Sequence, residues 1–450
     1  MKNRLNNNFY KSMLVIALPV VFQNLISISV NLVSSIMLGK LGVNQLAGVG
    51  IANRVFFIYT YACLGIYSGS SIFIAQYWGA KDYKSIKKIF GMNLFLGLVL
   101  SLSVNILAYI FAPQIISIFN KDVDVVGYGV TYLRIICFTY AFTALSFASS
   151  FNSRAVRKLK VPTIISFITV CISIILNYLL IFGKAGFPQL GIKGAAIGTA
   201  IARTFEFIMA YSYIFFSKNH PLAGTIKEYM SWDLSMFKNT LKTSLPVIIS
   251  ETSFALGYTV YYIAYGMIGA SAIAVAQVSY VINDLFQAVF VGLSNASSVM
   301  TGNELGKNEV KKALDYSKIN IKICLLLSLI MSTSLLFAKQ SIISIYNFDV
   351  NTNLLLNKSL IIFAIFLTPR MATYLIGSGV LRAGGDTRFC MFLDLVVIWL
   401  IGVPLAFFAV KVLQLPINYV FAFVFCGEVV KMFVVSLRYK SQKWINNLIA

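Results

Sequence analysis

Residues 17–21 read ALPVV and residues 244–251 read SLPVIISE, so Leu18-Pro19 returns as Leu245-Pro246 after 227 positions. The same interval separates GKLG at 39–42 from GMIG at 266–269, and Gly79, after Tyr77-Trp78, from Gly306, after Glu304-Leu305. It is close to half of a 450-residue chain, so the sequence is written twice. In an apolar protein, two matched halves point to a repeat-built membrane transporter whose substrate passes between them.

The chain is 58% hydrophobic and only 12% charged, which excludes an ordinary soluble globule. Apolar runs long enough to cross a bilayer fall at roughly 13–38, 49–77, 89–112, 130–151, 161–183, 190–216, 241–266, 275–301, 316–337, 356–379, 389–410 and 416–437. They are too long and alternate too little for barrel strands, so the expected fold is all-α. Twelve transmembrane helices then form two pseudo-symmetric six-helix lobes. An even number of spans per half makes the repeat parallel, with its axis along the membrane normal. The expected lobes are 1–216 and 241–450, joined by a cytoplasmic linker at 217–240 that carries a short surface helix near Trp232.

A net charge of +22 invites a nucleic-acid reading, and its placement excludes one. Basic clusters precede span 1 and follow spans 2, 4, 6, 8, 10 and 12, as in Lys84, Lys87 and Lys88 or Arg154, Arg157 and Lys158. Arg382 and Lys431 belong to the same series, and the opposite loops carry far fewer basic residues. This alternation places both termini in the cytoplasm and the basic side against anionic lipid heads. The six cysteines lie within spans, without a CxxC, and the one histidine, His220, lies in the linker. That pattern offers no Cys/His metal site, and no nucleophile constellation marks an enzyme.

Ionisable groups at bilayer depth need an explanation. Glu251 lies about 10 residues into span 7, roughly 15 Å at 1.5 Å per residue. Asp284 is near the middle of span 8, Asp394 is in the cytoplasmic half of span 11, and Arg370 follows Pro369 in span 10. One reading has Arg370 neutralising Glu251 or Asp284. The other has a buried carboxylate binding a coupling cation or proton, with Glu251 the favoured group. Two pairs, Arg203 with Glu206 and Glu428 with Lys431, stand at i, i+3 and are expected to neutralise one another.

Polar stripes reinforce the inward-facing reading. Gln23, Ser27, Asn31 and Ser34 share a face of span 1, Glu251, Tyr258, Tyr262 and Tyr265 a face of span 7, and Asp284, Gln287 and Asn295 a face of span 8. Such stripes are either helix–helix glue or the lining of a hydrated cavity. A cavity of tyrosines with a carboxylate suits amphiphilic cationic small molecules. Pro19 and Pro246, at matched depths, are either static kinks or hinges.

Assembled, these residues resemble the multidrug and toxic compound extrusion (MATE) family. The resemblance rests on ALPVV and SLPVIISE, MLGKLG at 37–42, AQYWGAKD at 75–82, LGIKGAAIGTAIAR at 190–203 and GVLRAGGDT at 379–387. It implies a monomeric efflux antiporter in the bacterial cytoplasmic membrane that exchanges internal organic cations for external Na⁺ or H⁺ by alternating access. The coupling ion is then its one cofactor-like requirement. Carried over residue by residue, a cation site in the first lobe falls on Ser34, Asn177 and Thr199, and coupling carboxylates in the second on Glu251 and Asp394. The chain departs from the family at Ser34, where many members have aspartate, at Ile181, where some have an acid, and near Met371, where some have aspartate. The alternative is a flippase for lipids or lipid-linked oligosaccharides of the same broader superfamily. Such a protein would be expected to line its cavity with several basic residues, and Arg370 is the one mid-span candidate.

Overall fold

Backbone groups in lipid must be satisfied within the segment, and the chain responds with helices throughout the residues that the structure describes. The structure is a computed structural model that describes residues 2–217, 220–345 and 348–449, with the side chains of 2–8, 31, 32, 35, 43, 270 and 345 left out. The first half runs α1 (Lys2–Gly39), α2 (Val43–Ala80), α3 (Tyr83–Ile110), α4 (Ala112–Phe119), α5 (Val123–Ile136), α6 (Tyr140–Ala155), α7 (Lys160–Phe182) and α8 (Ile192–Phe216). The linker holds α9 (Ile226–Tyr229). The second half runs α10 (Leu234–Gly266), α11 (Ala270–Gly306), α12 (Val310–Ile345), α13 (Val350–Tyr374), α14 (Thr387–Leu395), α15 (Val403–Lys411) and α16 (Ile417–Lys440).

Among the described residues, 10 spans are long and apolar enough to cross a membrane. The expected sixth and seventh spans are α8, which carries Lys193, Arg203 and Glu206, and α10, which carries Lys238, Lys242 and Glu251. The fourth span is α5 and α6 joined by a 3₁₀ turn at Cys137–Thr139. The tenth extends beyond expectation, through a π-helical turn (Leu375–Leu381) and a 3₁₀ turn (Arg382–Gly384). The eleventh is α14 and α15 joined by a second π-helical turn, Val396–Gly402. Leu326, Leu329, Ile330 and Phe337 on α12 are exposed, as are Val99, Leu102 and Ile106 on α3. Apolar faces of this kind suit lipid rather than water.

The sequence repeat is a repeat of backbone. The matched motifs end in Gly42 (φ 139°) and Gly269 (φ 138°), a conformation that residues with a Cβ avoid. Lys81 (φ 61°) and Asn308 (φ 60°), again 227 positions apart, close α2 and α11.

By packing, the chain divides into two compact units, Met1–Val21 with Ile249–Ala450, and Phe22–Ile248. Phe22 and Ile249 stand 227 positions apart, so the division follows the repeat. It passes through α1 and α10, shortly after Pro19 and Pro246, whereas the division expected from chain order lay in the linker. In the unit Phe22–Ile248, a Cβ on Gly65 would strike the Ile248 backbone. In the other unit, a Cβ on Gly292 would strike Val21 Cγ2 and the Ala17 carbonyl. Gly65 matches Gly292 and Ile248 matches Val21 at the same offset. The proline-bearing segment that opens each half therefore packs on the second helix of the other half.

Each unit has an aromatic core. In the one holding the C-terminal half, Tyr265, Tyr280, Phe363, Phe421 and Phe425 form a buried cluster, with Phe363 edge-on to Phe421 at 5.0 Å. In the other, Tyr59 stacks on Tyr140 at 4.6 Å and donates to its carbonyl at 2.6 Å. The linker packs against that unit. Its helix is α9, earlier than the expected position near Trp232, because Thr225 and Glu228 form a capping box. Lys87 donates to Glu228 at 2.8 Å, and Trp232 packs against Phe95. His220 is buried beside Tyr213, and its Nδ1 accepts from the Leu222 amide at 3.3 Å.

Two predictions follow from this scaffold. Gly65→Ala and Gly292→Ala overpack a helix crossing and each cost about 1–3 kcal/mol, whereas Gly50→Ala, with nothing within 4 Å, does not destabilise; melting curves in detergent separate them. Burial, and Lys158 after it, push His220 down from 6.5 to about 4. Between those values the unfolded chain takes up a proton that the native state refuses, so stability falls as pH falls from 6.5 towards 4. His220→Asn should flatten that part of the melting profile, and an unchanged profile would refute the assignment.

Candidate functional site

One turn past Pro246, α10 presents Ser250 and Glu251 to a guanidinium. Arg382 Nη1 donates to Glu251 Oε1 at 2.6 Å, and Nη2 donates to Ser250 Oγ at 3.1 Å and Asp394 Oδ2 at 3.5 Å. Ser250 Oγ also donates to Asp394 Oδ2. Lys431 on α16 lies 2.8 Å from Asp394 Oδ1 and 4.0 Å from Glu428 Oε2. Glu428 accepts from Thr373 Oγ1 at 3.0 Å. Arg382 is buried, while the side chains of Glu251 and Asp394 keep 16% and 15% exposure. The cluster sets three carboxylates against two bases. Fully ionised, it lacks one positive charge, an arrangement that is costly away from water.

The sequence positions this cluster through GVLRAGGDT. The π-helical turn ending at Leu381 delivers Arg382 onto a 3₁₀ turn that closes at Gly385 (φ 83°). Arg438 clamps Asp386 with two bonds, at 2.6 and 3.1 Å. The C-terminal segment covers the turn: Trp444 is fully buried against Gly384, and Asn446 Nδ2 donates to the Gly384 carbonyl at 3.1 Å. A side chain on Gly384 would collide with Trp444.

A second polar group lies on α11 and α13. Arg370 Nη1 donates to Asn283 Oδ1 at 2.8 Å and lies over the Phe425 ring at 4.3 Å. Asn283 Nδ2 in turn reaches Gln287 Oε1 at 3.2 Å and Asp284 Oδ1 at 3.4 Å. Asp284 is exposed, and Tyr258 and Tyr262 are half-buried at the edge of the aromatic core. Tyr265 belongs to that core: it is fully buried and its hydroxyl lies 3.0 Å from that of Tyr280, so it has no surface to offer a ligand here.

In the other unit, Asn177 Nδ2 donates to Thr199 Oγ1 at 3.4 Å, while Asn177 Oδ1 is buried without a hydrogen-bond partner. Gly198 admits that amide, since a Cβ there would meet Asn177 Oδ1. Ser34 is half-buried on α1. Gln23 is buried and accepts from Arg154 Nη2 at 2.8 Å, and Ser27 Oγ donates to the Gln23 carbonyl at 2.8 Å. The side chain of Asn31 lies outside the described residues. Arg203 and Glu206 pair at 2.9 Å, as their spacing predicts.

Three expectations need correction. The partner of Glu251 is Arg382, and Arg370 turns instead to an amide and an aromatic face. Lys431 sits closer to Asp394 than to its i, i+3 neighbour Glu428. Arg382 and Lys431, counted by position as orientation charges, are internal partners of acids. The sequence carried one usable signal for Arg382: it directly follows the apolar run inside GVLRAGGDT.

Two pseudo-symmetric helical halves, with charge clusters set among long apolar helices, define a repeat-built membrane transporter. The family model described as MatE matches residues 19–179 and 246–408, segments that begin at the two prolines, and the chain belongs to that family. It is a multi-pass membrane transporter and not an enzyme. It is 25% identical over 401 residues to the probable multidrug resistance protein YoeA of Bacillus subtilis, covering 88% of this chain and 86% of the relative. It is 26% identical over 400 residues to the probable multidrug resistance protein NorM of Halalkalibacterium halodurans, with 88% and 86% covered. Among solved structures, it is similar to a MATE crystal structure in the bent conformation, with a TM-score of 0.88, 18% identity, and 96% of this chain and 95% of that one covered. A transporter of the MOP superfamily from Pyrococcus furiosus, described as having a binding pocket of reversed polarity, gives a TM-score of 0.85 at 19% identity, with 96% and 95% covered.

Trp444→Ala removes the buried ring that covers the Arg382 turn, a loss of about 3–5 kcal/mol. The expected result is a lower melting temperature in detergent, with the chain still inserted in membranes; an unchanged melt would show that the C-terminal segment does not brace the site.

Proposed function

We propose that the chain is a multidrug efflux antiporter of the bacterial cytoplasmic membrane, with both termini cytoplasmic, which exports organic cations in exchange for Na⁺ or H⁺ by alternating access. The observation that carries this reading is the unequal cluster of Glu251, Asp394 and Glu428 against Arg382 and Lys431. One monovalent cation completes its charge, and either a coupling ion or a cationic drug satisfies that requirement. Exchange follows, because each ligand favours the state in which it makes up the missing charge. Glu251 is the coupling group and Asp394 its helper. The names of the relatives, probable multidrug resistance proteins, support the export of drugs.

The remaining assignments complete the reading. Asp284, Gln287, Tyr258 and Tyr262 form the substrate-facing group of one unit, and Gln23 and Ser27 that of the other. Asn177, Thr199 and Ser34 form a secondary cation site, supported by the unpaired Asn177 Oδ1. Pro19 and Pro246 act as hinges, because the division between the units runs through α1 and α10 just beyond them.

A flippase for anionic lipid carriers is the second reading. Arg370, held by an amide and a ring, favours it; Arg382 and Lys431 do not, since acids already neutralise them.

The deciding experiment follows a fluorescent cationic dye in proteoliposomes under an imposed Na⁺ gradient, and separately under a pH gradient. Wild-type protein should move dye with at least one gradient, and Glu251→Gln should lose coupled transport while remaining inserted. Gradient-driven transport by that variant at the wild-type rate would sink the assignment of Glu251. Lipid movement without dye movement would establish the flippase.

A further inference from the structure

The two units hold the turn after each proline in the same way. Gln23 stands four residues past Pro19, and Ser250 four residues past Pro246. In the unit Phe22–Ile248, Arg154, in the last turn of α6, donates to Gln23 Oε1 at 2.8 Å. In the other unit, Arg382, at the end of the tenth span, donates to Ser250 Oγ at 3.1 Å. The two arginines stand 228 positions apart, within one residue of the repeat interval. In both cases an arginine from the end of a half's fourth span grips the first helix of that half.

The halves differ in one respect. Arg154 meets the neutral amide oxygen of Gln23. Arg382 has the equivalent neutral acceptor in Ser250 and, in addition, the Glu251 carboxylate at 2.6 Å. Glu251 adds to the Arg382 contact a charge that cations can exchange. A cation arriving at Glu251 meets Arg382 Nη1 as a competitor. Nη2 retains Ser250 and Asp394 as acceptors when Nη1 is displaced.

We infer that Arg382 is the resident cation of the Glu251 site: a positioning residue that occupies the carboxylate whenever a transported cation does not, and so sets the affinity for that cation. This rests on the reading of Glu251 as the cation-binding group. Its consequence is that the empty carrier is never left with a bare carboxylate at that position. Release of the transported ion is assisted by an intramolecular replacement.

The test is equilibrium binding of radiolabelled tetraphenylphosphonium to the purified full-length protein. Arg382→Gln should tighten binding at least about fivefold, what a weak ion pair is worth. Glu251→Gln should abolish it. In dye transport, Arg382→Gln should lower KM and maximal rate together, a split that a merely structural role would not give. Where Arg382→Gln fails to fold, Arg382→Lys carries the test: an ammonium lacks the planar fork that serves several acceptors at once, and should also tighten binding. Wild-type or weaker binding in a folded Arg382 variant, with binding lost in Glu251→Gln, would overturn the resident-cation role alone. Wild-type binding by Glu251→Gln would overturn the role of Glu251 as well.

Discussion

A charge placed at bilayer depth must be answered by another charge, and the second half of this chain is arranged around one such answer. Arg382 meets Glu251, Ser250 and Asp394 with a single planar group. The features around it are what that contact demands. The π-helical turn shifts the register so that an arginine ending an apolar run turns inward. Gly385 closes the turn, Arg438 and Asp386 hold its far side, and Trp444 covers it. Lys431 then offsets the second carboxylate. Mutual pairing offsets part of the cost of burying these groups.

Against this the scaffold is conservative. The two halves share turns at Gly42 and Gly269, helix ends at Lys81 and Asn308, and close crossings at Gly65 and Gly292. The repeat fixes backbone geometry and leaves side chains free to diverge on it. The divergence is visible at two arginines: a glutamine amide accepts from one, and a serine and a glutamate accept from the other. A symmetric frame thus carries different charges in its two halves.

Much of this was legible in the residues. Length and apolarity give the spans, the 227-residue interval gives the repeat, and the rarity of acids in apolar runs singles out Glu251 and Asp394. What stayed hidden has a common physical cause. A basic residue at the end of a span either reaches for lipid heads or turns inward, and only packing decides between them; Arg382 and Lys431 turn inward. Helical periodicity assigns Tyr258, Tyr262 and Tyr265 to one face without telling which part of that face another helix covers, and Tyr265 is the covered one. Lys431 has Glu428 within reach along its own helix, yet the neighbouring helix brings Asp394 closer. The first-lobe positions from the family resemblance lie on three helices, Ser34 on α1, Asn177 on α7 and Thr199 on α8, and a hydrogen bond joins the last two.

The crossings at Gly65 and Gly292 bear on how such a chain could arise. The segment that fills the face of Gly65 ends at Ile248, and the one that fills the face of Gly292 ends at Val21. Each half thus lends its opening segment to the other, which is the geometry of a domain-swapped dimer joined into a single polypeptide. A chain made of one half alone would leave a small-residue face open and its own opening segment without a seat. Two such copies would satisfy one another by reciprocal exchange, so a single-half ancestor would have been an obligate dimer, and fusion of its genes would have preserved every crossing.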